Sequence, residues 1–304
     1  MKQYIGQILF FIFCGIISCN ISKADEPKPV EPIPSEAQLR WQEMEIYALV
    51  CHGLNPYTNK ELNYGDDDPK IFNPKNFDAE QIVSAIKSGG MNGVIIVAKH
   101  IDGFCLWNTK TTDYSISKTP YKNGKGDIVK EIADASRKHG LKFGVYCAPW
   151  DRNAAKYGTP DYIPMYREQL RELLTNYGDL FEIWFDGANG GDGYYGGKRE
   201  KRTIDKTSYY DWQNTIALVR KLQPNAVIFS DIGDTRWVGN EDGYAAKETW
   251  ATFTPKGVSN PDKPSIGDSK YQEATAGHRD GKYWMPAECD FPLRRGWFWH
   301  RNED

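Results

Sequence analysis

The stretch FEIWFDG, Phe181–Gly187, is apolar and aromatic around one glutamate and then ends in Asp186 and a glycine. Taken alone, Asp-Gly is turn chemistry. Taken with the rest of the chain, it is one of a series. EIYALVC (Glu45–Cys51), GVIIVAKH (Gly93–His100), KFGVYCAP (Lys142–Pro149) and AVIFSDIG (Ala226–Gly233) are short apolar runs of the same kind. Amphipathic stretches separate them. DAEQIVSAIKSGG places Ile82, Ala85 and Ile86 on one stripe, and GDIVKEIADASRKHG does the same with Ile128, Ile132 and Ala135. Asp127 is positioned to cap the second and Gly140 to stop it. YREQLRELLTNYG and YYDWQNTIALVRKLQP repeat the pattern, and KETWATF and YWMPAECD read as further strands between long loops. Apolar strands alternating with helices predict parallel strands covered by helices. About seven strand candidates favour an α/β, TIM-like (β/α)8 barrel over a doubly wound sheet. The eighth strand is not visible, so the barrel reads as incomplete at its C-terminal end. GANGGDGYYGGK reads as a long loop, and the KREKR run beside it as a solvated charge cluster.

The chain has 304 residues, 40% hydrophobic and 13% aromatic, with 10 Trp and 18 Tyr. That is ample material for a core. A net charge of −3 gives no reason to expect nucleic acid as a partner. MKQYIGQILFFIFCGIISC reads as a secretory signal, too short in its apolar run for a membrane span. Its end, Ile16-Ile17-Ser18-Cys19, resembles a bacterial lipobox, which makes Cys19 a lipid anchor. The expected organisation is a signal over 1–19, a proline-rich linker over 20–36 and a barrel domain over 37–304. The expected location is the periplasm or outer membrane of a bacterium. Cys51, Cys105, Cys147 and Cys289 have no paired spacing and read as free buried thiols.

Polar residues collect where the apolar runs end: His52 and Asn55, Lys99, His100 and Asp102, Trp150 and Asp151, Asp186, Asp231, Glu248, Glu288 and Asp290. A barrel brings such ends to one face. The chain has no GxSxG, no HExxH, no Walker A and no GxGxxG after its first strand. No metal and no cofactor is expected, and Asp66-Asp67-Asp68 reads as a solvated turn. What remains is carboxylates among aromatics on an exported protein. This suits glycoside hydrolysis, which needs one ionised and one protonated carboxyl. Asp186 and Glu288 are the candidates.

AKHIDGFCLW, LKFGVYCAPWDRN and YREQLRELLTNYGDLFEIWFDGANGG, in that order, resemble the α-L-fucosidases of glycoside hydrolase family 29. The likeness runs from about Trp41 to the last residues. It implies a retaining mechanism on a fucosylated glycan or oligosaccharide, with Asp186 as nucleophile and Glu288, in PAECDFPLRRGWFWH, as acid/base. It also implies that His100 and Glu61 contact the sugar and that Tyr146, Trp184 and Arg236 line its subsite.

Three positions depart from the family pattern. Ile101 stands where a second histidine is usual, Cys51 where a first-strand histidine is usual, and Leu62 where a tryptophan follows Glu61. His52 lies one place after Cys51, and on a strand that turns it to the other face. Sites built for hydroxyls discriminate strongly when a partner is lost. Three readings therefore stay open: an α-L-fucosidase, a related glycosidase with altered sugar specificity, and an inactive or carbohydrate-binding relative.

Overall fold

Short strands and amphipathic helices alternate through the residues that the computed structural model describes, 27–303. The expected signal and Cys19 lie outside them. The helices and strands of the described residues fall in the unit Pro32–Asp304. In chain order they are α1 (Glu36–Gln42), β1 (Ala48–Val50), α2 (Asn55–Thr58), α3 (Ala79–Ser88), β2 (Gly93–Lys99), α4 (Ile128–Lys138), β3 (Lys142–Cys147), α5 (Tyr162–Asn176), β4 (Glu182–Trp184), β5 (Gly191–Tyr195), β6 (Lys198–Arg202), α6 (Trp212–Leu222), β7 (Val227–Phe229), β8 (Arg236–Trp237), β9 (Thr252–Phe253), β10 (Tyr283–Trp284) and β11 (Ala287–Glu288). The helix starts follow their capping residues. Ser35 and Gln38 form a capping box on α1, and Asp78 accepts from the Gln81 amide at the start of α3. Asp127 accepts from the Lys130 amide at 2.8 Å. Gly140, at φ 70°, turns the chain out of α4 as expected.

The fold is α/β. Five strands pair in parallel in the order β1-β2-β3-β4-β7. A single parallel bridge, Phe229 to Thr235, leads from β7 toward β8, which pairs in parallel with β11. Alternation sorts the strands into two faces. Val94, Ile96 and Ala98 of β2, Phe143 and Val145 of β3, and Ile183 join Ile128 and Ile132 of α4 and Leu170 and Leu173 of α5 in one buried core. Ile95, Val97, Tyr146, Trp184 and Phe229 form a second cluster on the opposite, inner face. Strand spacing there depends on Gly144, where a Cβ would meet the Glu182 carbonyl oxygen at 2.8 Å.

One irregularity aims the chemistry of β2. The β2–β3 register shifts between Val97 and Lys99. Lys99 is thereby turned into the helix layer, where its Nζ donates to Gln169 Oε1 at 2.8 Å and to the Tyr162 hydroxyl at 3.1 Å. Asp151 Oδ2 lies 3.4 Å away, so the buried charge is paired and hydrogen-bonded. His100 then falls on the other side, its ring 6.1 Å from that of Tyr146.

The structure corrects several expectations. The glycine-rich stretch is not simply a loop: it and the KREKR run pair as the two strands of an antiparallel hairpin, β5 and β6, and KREKR is solvated as expected. The late strands are only two residues each. Among the described residues the four cysteines are free; Cys105 and Cys147 are buried, but Cys51 is half-buried and Cys289 is exposed. Arg236, expected at a sugar subsite, is not among the residues lining the cavity beside Asp186. Its side chain is buried with Nε donating to the Ala274 carbonyl at 2.8 Å, Nη2 to the Trp250 carbonyl at 3.0 Å and Nη1 to the Met285 carbonyl. The guanidinium also lies 4.9 Å over the Phe253 ring. A cation that donates from each of its three nitrogens to a carbonyl of the 250–285 segment is a staple for that segment. Arg236→Met leaves those carbonyls without donors and should cost about 3 kcal/mol. Thermal melting followed by circular dichroism checks this, and an unchanged midpoint contradicts the staple.

Candidate active site

Side chains two residues apart on a strand share a face. On β4 and just beyond it, that rule puts Glu182, Trp184 and Asp186 in a row on the inner face. Trp184 is clamped by stacking on Phe229, ring centroids 3.8 Å apart at 10°. Asp186 follows where β4 ends. Its Oδ2 accepts from the Tyr146 hydroxyl at 2.9 Å, and its Oδ1 accepts from the Gly187 amide at 2.6 Å. The surrounding protein raises its pKa, and these two donors oppose the rise. Water still reaches the carboxyl. Gly187 has φ 70°, and a Cβ there would stand 2.6 Å from Ile101 Cγ2, so the turn after Asp186 requires glycine.

Asp186 opens onto a cavity of about 120 Å³. Trp184, Phe229 and Trp237 form aromatic wall, with Tyr271 and Ile266 beside them. Three more carboxyls share the cavity: Asp231, Glu241 and Asp290. Asp231 accepts from the Gly267 amide at 2.6 Å, and burial pushes its pKa to about 6. Asp290 accepts from Trp237 Nε1 at 2.8 Å. Burial pushes it to about 7, and the charges of Glu241 and Glu288 add to the rise. Glu241 stands exposed in the loop after β8, and among the described residues no hydrogen-bond donor ties its carboxyl.

The residues expected from sequence divide into three groups. Trp184 and Asp186 line the cavity, and Tyr146 reaches it through Asp186. His100 packs behind Tyr146, with the buried Phe298 ring edge-on at 5.2 Å. Burial lowers the His100 pKa to about 4, so the imidazole is neutral, and its Nδ1 has no protein partner. Glu61 holds the segment that carries Phe298: it accepts from the Trp297 amide at 2.6 Å, and its Oε2 lies 2.8 Å from His300 Nε2. Glu288 is not on the cavity wall. It is buried on the inner face, where its Oε2 accepts from the Thr235 hydroxyl at 3.2 Å. The departures are equally clear. Ile101 is buried on the inner face and Leu62 is exposed. His52 lies between Phe72 and Phe77, facing away from the Asp186 side as its one-place shift implied.

Sequence reasoning gave no site role to Glu241, Trp237 or Tyr271. Their signal is weak, because each lies in a loop or a two-residue strand whose depth no periodicity reports. Asp231 and Asp290 did stand out as strand-end carboxylates.

A carboxylate held by two donors, across an aromatic-walled cavity from Asp231 and Asp290 with their raised pKa values, is an arrangement of the kind that acid/base-assisted displacement uses. Among the described residues no group of His, Cys, Asp or Glu is arranged to hold a metal ion. A family model described as alpha-L-fucosidase matches residues 16–280. Alpha-L-fucosidase 1 of Arabidopsis thaliana is 41% identical over 303 residues, covering 97% of this chain and 56% of that protein. A glycoside hydrolase family 29 member from an unknown rumen bacterium is 48% identical with a TM-score of 0.85, covering 91% of this chain and 49% of that one. A Ruminococcus gnavus family 29 fucosidase, solved in complex with fucose, is 31% identical with a TM-score of 0.75, covering 91% and 59%. The chain thus spans about half the length of the relatives it matches. In sequence and in fold alike, the chain belongs to the alpha-L-fucosidase family of glycoside hydrolases.

Proposed function

We propose that this chain carries the catalytic site of an exported α-L-fucosidase that releases terminal fucose from a glycan with retention of configuration. The observation that carries this reading is Asp186: an ionisable carboxylate fixed by Tyr146 and Gly187 at the wall of an aromatic cavity. The fucose complex of the Ruminococcus gnavus relative supports fucose as the sugar. Export rests on the N-terminal sequence, with Cys19 as the anchor. The sheet order, the Phe229–Thr235 bridge and the β8–β11 pair support a barrel-like curl that brings β11 round toward the Asp186 cavity.

In the first step an Asp186 oxygen attacks the anomeric carbon. The bond from that carbon to the aglycone oxygen breaks as an acid protonates the departing oxygen. A water then attacks the glycosyl ester, gives its proton to the same group now acting as base, and frees Asp186. An exo-acting enzyme sends its leaving group toward solvent, so the acid belongs at the rim. Glu241 meets that requirement. It lines the cavity, is exposed, and interacts with Asp290. We therefore favour Glu241 over Glu288, whose carboxyl is buried against Thr235. A second reading, altered sugar specificity, is favoured by Ile101, whose methyl fills the space beside Gly187.

Asp186→Ala should lower kcat on an aryl α-L-fucoside about a thousandfold or more, with azide rescue giving the inverted glycosyl azide. Turnover equal to the parent sinks the assignment. Glu241→Gln should cost about 100-fold or more on poor leaving groups and little on activated ones, with azide giving the retained product. The same pattern from Glu288→Gln instead would return the acid to Glu288. Tyr146→Phe removes a donor to the ionised form of Asp186, so its pKa rises. Asp186 must be ionised to attack, and the acidic limb of the kcat/KM profile should therefore move to higher pH. A limb that stays or moves lower contradicts this role. A panel of aryl glycosides separates the two sugar readings.

A further inference from the structure

Glu182 and Glu288 meet on the inner face, beneath Trp184, and both are buried. They come from β4 and β11, strands that are not hydrogen-bonded neighbours. Every donor around them is neutral. Trp41 Nε1 donates to Glu182 Oε2 at 3.1 Å and to the Tyr47 hydroxyl at 3.0 Å. That hydroxyl is within hydrogen-bonding reach of both carboxyls, and Thr235 Oγ1 donates to Glu288 Oε2. The Trp184 indole N–H is a further neutral donor beside Glu288, and among the described residues neither it nor Oε1 of either carboxyl makes a full hydrogen bond. Among the described residues no Lys, Arg or His forms an ion pair with either. The Arg236 guanidinium is occupied by its carbonyls.

The titratable groups near the pair are Tyr47 before β1, Asp186 further along β4 and Asp290 two residues beyond Glu288. None supplies a positive charge. Two adjacent carboxylates in such surroundings cannot both ionise. A proton between them supplies the donor that each lacks.

We infer that Glu182 and Glu288 share one proton and act as a positioning clamp across the inner face, fixing the span between Asp186 and Asp290. Each member sits a short step along its own strand from a cavity carboxyl: Glu182 four residues before Asp186, Glu288 two before Asp290. While the proton is held, the carboxyls attract and the strands are drawn together. When it is lost the charges repel, and the cavity walls separate. The effect on turnover rests on the proposed role of Asp186; the shared proton does not.

Infrared difference spectra of the full chain test the proton directly. At neutral pH the parent minus Glu182→Gln/Glu288→Gln difference should show the carbonyl stretch of a protonated carboxylic acid, shifted in deuterium oxide and lost at alkaline pH. If the double variant does not fold, Glu288→Gln alone serves, because the amide donates to an ionised Glu182. Carboxylate bands alone in the difference overturn the shared proton, whether or not the chain hydrolyses fucosides.

Kinetics test the clamp. Glu288→Gln keeps a hydrogen-bonded pair and should lower kcat by less than about tenfold, with the alkaline limb moved to higher pH because the amide does not titrate. Glu288→Ala should lower kcat more than it raises KM. An unmoved alkaline limb in Glu288→Gln, or a loss of about 100-fold or more restored by azide, overturns the clamp.

Discussion

The pairing of β4 between β3 and β7 holds Val145 against Ile183 and Trp184 against Phe229, and so decides which face of the strand each residue meets. A slip of one residue would exchange those faces. Ile183 would leave the helix-covered core, and Asp186 would point into it. Three supports resist such a slip. Gly144 admits the close approach of β4, Trp184 stacks on Phe229, and Ile183 is enclosed in the helix-side core. The Asp186 carboxylate, the proposed nucleophile, is placed by backbone pairing and packing rather than by a charged partner.

Burial then grades the carboxyls around that strand. Deepest is the Glu182–Glu288 pair, where desolvation and mutual repulsion raise proton affinity. At the cavity wall Asp290 and Asp231 are raised to about 7 and about 6. Asp186 has two donors to favour its ionised form. Burial raises Asp186 as well, but its two donors oppose the rise, so groups of one chemical type are graded in proton affinity by their neighbours alone.

Much of this was legible in the sequence, and the parts that were not have a common cause. FEIWFDG, GVIIVAKH and KFGVYCAP are continuous apolar runs, so β2, β3, β4 and the strand-end position of Asp186 could be read directly, although not which face each residue meets. The helix cap at Asp127 is local chemistry. Beyond residue 230 the strands shrink to two residues and their orientation is set by loops packed around Arg236. Glu288 is a candidate in the sequence as a strand-end carboxyl and through the family resemblance, and Arg236 through the resemblance alone. Nothing local says that one is buried beneath the cavity and the other turned to carbonyls. The register shift that sends Lys99 to α5 and leaves His100 beside Tyr146 is likewise a product of sheet pairing. The hairpin of β5 and β6 escaped notice because glycine and lysine are poor strand formers, and cross-strand pairing overrides that preference.

The central claim is that Asp186 forms the bond to the sugar. Incubating the protein with a 2-deoxy-2-fluoro-fucosyl fluoride, then digesting it and sequencing the labelled peptide by mass spectrometry, tests that bond itself. The expected label is a single fluorofucosyl ester on Asp186, within the peptide containing FEIWFDG. A label on Asp231, Glu241 or Asp290 would contradict the claim.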